Sequence, residues 1–449
     1  MKQTVKYENK KVLVMGLAKS GKAAARLLRK LGAHVVINDR QPLPDNLDAK
    51  EMIAEGFEVV VGSHPLELLN QNFDYIFKNP GIPYLKVPLL MEALKRQIPV
   101  LTEVQLAYDV SEAPFIGITA TNGKTTTTTL IYEMLKEGNL HPLIAGNIGE
   151  VACLVAEEAT ADQVLVTELS SFQLMGIDSF NPQISLLLNI TEAHLDYHAD
   201  IEEYRQAKLH LIANQTADQF CVYNADDDVI VQGIAKTKAT CVPFSLYRKV
   251  EGAYLSEGAI YFKDEKIIDV DSVLLKGNHN LQDVLGAVAV SKLYGCETAA
   301  IQKVLMRFVG VKHRLQYVAT IKGVDYYNNS KATNVIATQT SLEAFKDSII
   351  LLAGGLDRQH DLSGLVPYFS KIKMLISFGQ TNARFKQLAD EHSLPCVMVN
   401  TLDEAMAEAV KIAQENDHVL LSPACASWDQ YPNFETRGDH FIELVEKLK

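Results

Sequence analysis

What is missing from this sequence narrows it first. No apolar run approaches the roughly 18 residues that a membrane-crossing helix needs, so no membrane span is expected. The six cysteines, Cys153, Cys221, Cys241, Cys296, Cys396 and Cys425, form no C-x-x-C pair and no zinc spacing. They are predicted to be mostly small buried hydrophobes in a reducing, cytoplasmic setting. Lys/Arg-rich tracts are also missing, and 43 basic against 55 acidic residues leave a formal net charge of −12. That excludes a nucleic-acid coat, and any anionic ligand then needs local cationic sites.

The 449 residues exceed one hydrophobic core. At roughly 100–200 residues per domain they suggest two to four domains, with three as the working number. Lys10-Lys11 before VLVMGLA looks superficially like a signal peptide, but the run continues into an amphipathic helix and a second strand and belongs to a fold. KVLVMGL, AKSG, KAAARLLRKLG and HVVINDR read as strand, turn, helix and strand. Gly16 and Gly21 frame a G-x-x-x-x-G turn, and Asp39 closes the second strand where a Rossmann fold carries its ribose acid. Ala18 replaces the middle glycine of G-x-G-x-x-G, which points away from a nicotinamide dinucleotide and toward another phosphate-bearing ligand. Asn79-Pro80-Gly81 follows the strand FDYIFK, either on the same ligand-facing edge or as a plain turn.

The most telling stretch is Ala113 to Leu130, APFIGITATNGKTTTTTL. An apolar strand empties into Thr119-Ala120-Thr121-Asn122-Gly123-Lys124-Thr125-Thr126 and then into a helix. This is the chemistry of a phosphate-binding loop: backbone N–H groups face an anion, Lys124 reaches the outer phosphates, and the Thr125 hydroxyl can hold Mg²⁺. The match to G-x-x-x-x-G-K-[ST] is irregular, because Ile118 stands where the first glycine belongs. FIGIT, QVLVTE and ISLLLNI are continuous enough for a sheet covered on both faces, while GAIYF and KIIDV suggest a small antiparallel insertion.

Other chemistry-bearing residues lie where strands end. Glu168 closes QVLVTE as a possible Mg²⁺ carboxylate. His194 follows ISLLLNI, where it can ligate metal, orient phosphate, act as a base or simply be structural. Asn280, in Gly277-Asn278-His279-Asn280, can read a purine edge or cap a helix. Arg314 lies at a suspected domain joint. Beyond it VDYYNN, SIILLAGG, KMLISFG, PCVMVN and HVLLSPA form a third α/β pattern, and Asn328–Asn334 is expected to open a helix beside Lys331. By residue type alone, Lys208 in EEYRQAKLHL reads as a solvated helix lysine.

Taken together, TATNGKTT, ELSSFQL, NITEAHLD, YRQAKL, GNHN, HRL, YNNSKATN, GGLDR and SPACASWDQYPNFETRG resemble the Mur ligases, from Gly16 to Arg437. SKATN and SPACAS are the segments that distinguish D-glutamate addition from the sister reactions. The resemblance implies a three-domain α/β fold. Residues 1–110 would be a Rossmann-like UDP-sugar domain, 111–310 a central P-loop ATPase domain with a parallel sheet and small antiparallel insertion, and 311–449 a Rossmann-like amino-acid domain. By this resemblance Lys19, Ser20, Asp39, Arg40, Asn79, Gly81 and Asn147 would contact UDP-N-acetylmuramoyl-L-alanine. Lys124, Thr125, Glu168 and His194 would handle ATP and two Mg²⁺ ions. Asn280, Arg314 and Lys331 would hold nucleotide and phosphates, and Thr333, Arg358, Ser427 and Phe434 would form the D-glutamate pocket.

The resemblance also implies that Lys208 is carbamylated by CO₂, becoming an anion that helps place Mg²⁺. The chain is expected to be a cytoplasmic monomer that makes an amide through an acyl phosphate. Three residues depart from the family pattern: Ala120 for a loop glycine, Asn329 for the aspartate of DSKATN, and Asp283 for a second asparagine after GNHN. The competing readings are a sister Mur or folylpolyglutamate-type ligase, a nucleotide-hydrolysing switch, which the missing N-K-x-D disfavours, and a nicotinamide-dependent oxidoreductase.

Overall fold

The computed structural model describes residues 1–2, 4–191, 197–275 and 278–449, without the side chains of Asn278 and His279. The chain forms two compact units, Met1–Phe308 and Val309–Lys449.

The first unit begins with a parallel sheet of β1 (Lys11–Met15), β2 (His34–Asp39), β3 (Glu58–Val61), β4 (Tyr75–Lys78) and β5 (Val100–Leu101), in the order β3-β2-β1-β4-β5. The chain steps outward from β1 to β3 and returns on the other side with β4. The strand direction of travel therefore reverses between β1 and β4, which is where open α/β sheets bind ligands. Helix Lys19–Lys30 follows β1, and its buried Ala23, Ala24, Ala25, Leu27 and Leu28 face the sheet. Alanine combines high helix propensity with a small side chain, so this helix lies close to the strands. Gly16 bends at φ 88°, and a Cβ on Gly21 would fall 1.8 Å from the Gly16 carbonyl oxygen. Both ends of the G-x-x-x-x-G turn thus exclude a side chain.

The second sheet has nine strands: β6 (Phe115–Thr119), β7 (Pro142–Gly146), β8 (Val164–Glu168), β9 (Ile184–Leu187), β10 (Phe220–Asn224), β11 (Thr240–Ser245), β12 (Ala253–Ser256), β13 (Ala259–Phe262) and β14 (Glu265–Asp269). Their order is β14-β13-β12-β11-β10-β9-β6-β8-β7. From β7 through β12 the pairs are parallel, and β12-β13-β14 is the antiparallel insertion. Every residue of β6 and β8 is buried, as their unbroken apolar runs require. One apolar core joins both sheets, running from Tyr7, Leu28 and Phe77 through Val104 and Cys153 to Phe115 and Phe180. Tyr108, Phe115 and Phe180 meet with ring centroids 5.3–6.0 Å apart, each such pair contributing about 0.5–1.5 kcal/mol beyond its buried area.

The second unit is a six-stranded sheet of β15 (Gln316–Ile321), β16 (Val324–Asn328), β17 (Ile349–Gly354), β18 (Ile372–Phe378), β19 (Cys396–Met398) and β20 (His418–Leu421), ordered β15-β16-β20-β17-β18-β19. The five expected strands are parallel, and β15 adds an antiparallel edge outside that expectation. Its two-residue turn, Lys322-Gly323, has both φ values positive, at 51° and 76°. That is the turn geometry matching the twist of a hairpin.

Candidate active site

β6 runs to Thr119, so Ile118 is a buried sheet residue paired with Glu168 on β8 and Leu186 on β9. The glycine expected at position 118 has no turn to make there. The loop itself is Ala120 to Gly123, and Gly123, at φ 83°, opens helix Lys124–Glu137. A Cβ on Gly123 would fall 2.1 Å from Asp283 Oδ1, so buried Asp283 is part of the loop's wall. Ala120 is buried and lies outside the left-handed region, and a side chain there imposes no backbone strain. The loop's helix begins with a run of β-branched threonines, poor helix formers that tertiary packing overrides; Thr125, Thr127 and Thr128 are buried.

The segment after β9 supplies the loop's clamp. Asn189 Oδ1 accepts from Asn122 N at 2.8 Å, and Asn189 Nδ2 donates to Asn122 O at 3.0 Å. Thr121 N donates to Asn189 O at 2.9 Å, and Thr121 Oγ1 accepts from Thr191 N at 3.0 Å. Residue-type reading missed Asn189, although it sits inside the motif NITEAHLD. His194 lies outside the described residues.

Two lysines and one acid converge here. Lys124 Nζ donates to Ala120 O at 2.7 Å and Thr121 O at 2.8 Å, and Lys208 Nζ donates to the same Ala120 O at 2.7 Å. Glu168 is fully buried; its Oε1 accepts from Asn147 Nδ2 at 2.6 Å, while Oε2 is buried without a hydrogen-bond partner. A buried carboxylate oxygen with an unused lone pair fits a hard cation such as Mg²⁺, which typically takes one or two carboxylates and fills its shell with phosphate and water. Thr125 opens the adjacent helix, where its hydroxyl suits the same ion. Asn147, expected at the UDP-muramoyl ligand, is thus tied to Glu168.

The solvated reading of Lys208 is wrong: the residue is only 2% exposed. Tyr204, Ala207, Lys208 and Leu211 are all buried at i, i+3, i+4 and i+7, a stripe that was present in the sequence. Burial first, and then repulsion from Lys124, push the Lys208 amine well below its ordinary pKa, against attraction from Glu168.

A second cluster forms at the Gly16 turn. Asp39 Oδ2 accepts from Leu17 N at 2.8 Å, and its Oδ1 accepts from Gln41 N at 2.8 Å and Asn46 Nδ2 at 3.1 Å. Asp39 therefore braces the turn. Asn79 Nδ2 donates to Ser20 Oγ at 3.0 Å and Gly81 N donates to Asn79 Oδ1 at 3.0 Å, bringing Ser20, Asn79 and Gly81 together. Lys19 and Arg40 are exposed. Beneath the loop, Lys78 Nζ donates to Pro80 O at 3.3 Å and to Tyr197 OH at 2.9 Å, and Tyr197 OH donates to Pro80 O at 2.8 Å. Neither Lys78 nor Tyr197 was singled out by sequence, since each acts through a partner more than a hundred residues away. Burial pulls the Lys78 pKa down to about 7 and raises that of Glu103 to about 7; both side chains line one small cavity with Ser20 and Phe77.

In the second unit, helix Val335–Glu343 opens after Asn334, whose Oδ1 accepts from Ala337 N at 2.9 Å. Exposed Lys331 stands in the turn ahead of that helix. Asn329 is 6% exposed: its Oδ1 accepts from Leu315 N at 3.0 Å and its Nδ2 donates to Ser422 Oγ at 3.1 Å. Both ends of this amide are used to join loops. Fully buried Arg437 donates from Nε to Ser330 Oγ at 3.0 Å and from Nη2 to Ser330 O at 2.9 Å and Cys425 O at 3.2 Å. Its Nη1 and the Ser427 Oγ are buried without partners, leaving polar capacity for a ligand or water. Arg358 lies 4.7 Å over the ring of exposed Trp428, Lys331 Nζ is 6.0 Å from the Phe434 ring centroid, and Thr333 N donates to Lys331 O at 2.8 Å. Arg314 is exposed, between His313 and Leu315, both with positive φ.

A P-loop with a buried acid at the neighbouring strand end, set in a three-sheet α/β chain, defines a nucleotide-dependent enzyme. Family models agree in order along the chain: "Mur ligase MurD-like, N-terminal domain" matches residues 10–102, "Mur ligase middle domain" 118–291, and "Mur ligase, glutamate ligase domain" 313–425. Relatives named UDP-N-acetylmuramoylalanine--D-glutamate ligase from Bacillus cereus (strain G9842) and Bacillus anthracis (strain A0248) are 52% identical over 450 aligned positions, covering 100% of this chain and of each relative. The fold is shared with a pseudomurein peptide ligase type C from Methanothermus fervidus (18% identity, TM-score 0.53, 98% of this chain and 100% of that one). It is shared equally with the UDP-N-acetylmuramate-alanine ligase from Thermotoga maritima (17% identity, TM-score 0.53, 98% and 100%). The chain belongs to the Mur ligase family, ATP-dependent amide ligases of peptidoglycan precursor synthesis that use Mg²⁺.

Proposed function

We propose that this chain joins D-glutamate to UDP-N-acetylmuramoyl-L-alanine at the expense of ATP, as a cytoplasmic monomer. The observation that carries this reading is full-length identity of 52% to relatives bearing the name of that reaction. On this reading the L-alanyl carboxylate oxygen attacks the γ-phosphorus, ADP leaves, and an acyl phosphate forms. The D-glutamate amine then adds to the activated carbonyl, and the tetrahedral intermediate expels phosphate. Activation is required because a carboxylate is a poor electrophile at neutral pH.

Residues 1–110 would hold the UDP-muramoyl ligand, with Lys19, Ser20, Asp39, Arg40, Asn79 and Gly81 at the turn and Asn147 opposite. Residues 111–310 would hold ATP, and 311–449 the amino acid. Lys124 suits the γ-phosphate, where fixed positive charge offsets what develops in transfer. Mg²⁺, when bound, neutralises phosphate charge; Glu168, Thr125, His194 and Lys208 would hold it at two sites. Asn280, Arg314 and Lys331 would contact nucleotide and phosphates, and Thr333, Arg358, Ser427 and Phe434 the D-glutamate.

Carbamylation of Lys208 is part of the reading. The side chain is buried and its pKa is lowered by burial and by the Lys124 charge, and a neutral amine is the form that adds to CO₂. The resulting anion would pair with Lys124. The product test is direct: incubate the protein with ATP, UDP-N-acetylmuramoyl-L-alanine and either D- or L-glutamate, and identify products by mass spectrometry. The D-glutamyl adduct alone is expected; a product with L-glutamate, or none with D-glutamate, would overturn the assignment.

A further inference from the structure

β10 and β11 run parallel with Cys221 directly opposite Cys241, and β9 places Ser185 on the other side of Cys221. In-register residues on neighbouring parallel strands point to the same face of a sheet. Their backbones are about 4.7–4.9 Å apart, inside the Cα span of about 4.4–6.8 Å that a disulfide bridges. The two thiols differ in access. Cys221 is fully buried, whereas Cys241 is exposed because β12 pairs only with the far end of β11, at Phe244 and Ser245. The Cys241 thiol donates to Ala239 O at 3.7 Å, and its interaction with the facing Cys221 lowers the Cys241 pKa and, with burial, raises that of Cys221. None of the other four cysteines is exposed: Cys153, Cys296 and Cys425 are buried and Cys396 is half-buried.

We propose that Cys241 and Cys221 form a reversible oxidation site for hydroperoxides, with Cys241 the attacking thiol and Cys221 the resolving one. The Cys241 thiolate attacks one peroxide oxygen, the O–O bond breaks, hydroxide leaves and takes up a proton, and Cys241 becomes a sulfenic acid. The Cys221 sulfur, giving up its proton, then attacks the Cys241 sulfur. The S–O bond breaks and a second water departs. Two thiols lose two electrons to form the disulfide, and the peroxide is reduced to two waters.

These cysteines are the second residues of their strands, at the amino-terminal edge of the sheet, while the phosphate loop leaves its carboxyl-terminal edge. Oxidation and ligase chemistry are therefore separable. The test treats the full chain with a few equivalents of hydrogen peroxide, blocks remaining thiols with iodoacetamide, and maps them by mass spectrometry. The expected result is a Cys221–Cys241 cross-linked peptide that dithiothreitol reverses. Cys241→Ser should leave Cys221 alkylatable only after unfolding and abolish the cross-link, with ATP turnover within about twofold of the unmodified chain, as for a surface change. In Cys221→Ala, which leaves the exposed thiol intact, dimedone should trap a sulfenic acid on Cys241. The proposal is overturned if Cys241 passes to sulfinic acid while Cys221 stays reduced, if Cys241 bridges two chains instead, or if neither thiol reacts.

Discussion

The first and second sheets each carry a strand, a glycine turn and a helix N-terminus, and locally the two look alike. Gly16 and Gly123 both adopt positive φ, at 88° and 83°. They differ in what neighbouring elements deliver. At Gly16 the adjacent strand ends supply Asp39 and Asn79, neutral or acidic groups already bonded to the turn. At Gly123 the neighbours bring buried Glu168, the clamp Asn189 and a second lysine, Lys208, to meet Lys124. A glycine turn before a helix marks an anion site, but the side chains arriving from other elements would decide between holding a ligand and transferring a phosphoryl group.

If that division of labour is right, the largest loss follows from the second turn. Lys208→Ala should lower kcat by about a thousandfold, with millimolar short-chain carboxylate restoring part of it, since removing one group that stabilises developing charge costs about 10²–10³ or more. Failure of every carboxylate to rescue would exclude the carbamate. Glu168→Gln should lower kcat by about a hundredfold and raise the Mg²⁺ concentration needed for half activity, because an amide oxygen replaces a charged ligand. An unchanged Mg²⁺ titration would remove Glu168 from the metal site.

At the first turn the expected effect is smaller and different in kind. Asn79→Ala loses two hydrogen bonds and should raise KM for the UDP-muramoyl acceptor about thirtyfold, with KM for ATP unchanged, at about 1 kcal/mol per bond. A rise in KM for ATP instead would break the comparison.

The smallest effect concerns stability beneath that turn. Glu103, raised from 4.5 to about 7, binds protons more tightly when folded, so its contribution falls as pH rises from 4.5 to 7. Lys78, lowered from 10.5 to about 7, holds its proton less tightly when folded, so its contribution improves as pH rises from 7 to 10.5. Denaturant melts of Glu103→Gln and Lys78→Met, each subtracted from the parent chain, should show these opposite slopes; flat differences would contradict the burial of both groups.

How much of this was legible in sequence depends on distance along the chain. The phosphate loop, Glu168 and some strands of each sheet, among them β1, β6, β8 and β17, were readable because strand, turn and helix are contiguous and their apolar runs are long, whereas β3, β5, β7 and β10 to β12 were not read. Lys208 was misread although its neighbours Tyr204, Ala207 and Leu211 carry the buried stripe, because a lysine is by default placed in water. Asn189, Tyr197, Lys78 and Arg437 gave no local signal, since each works through partners that only the fold brings near. β15 escaped because a two-residue hairpin at an exposed sheet edge needs little apolar patterning. The irregular glycine spacing has a structural reason: Ile118 is a sheet residue, and the loop begins after it.

The central claim is that one phosphate is released from ATP only when the first domain's ligand and the matching amino acid are both present. Phosphate release should be measured across a grid of UDP-muramoyl acceptors and amino acids. Release that requires UDP-N-acetylmuramoyl-L-alanine together with D-glutamate is the expected result. Release indifferent to either, or strongest with another pair, would contradict the account.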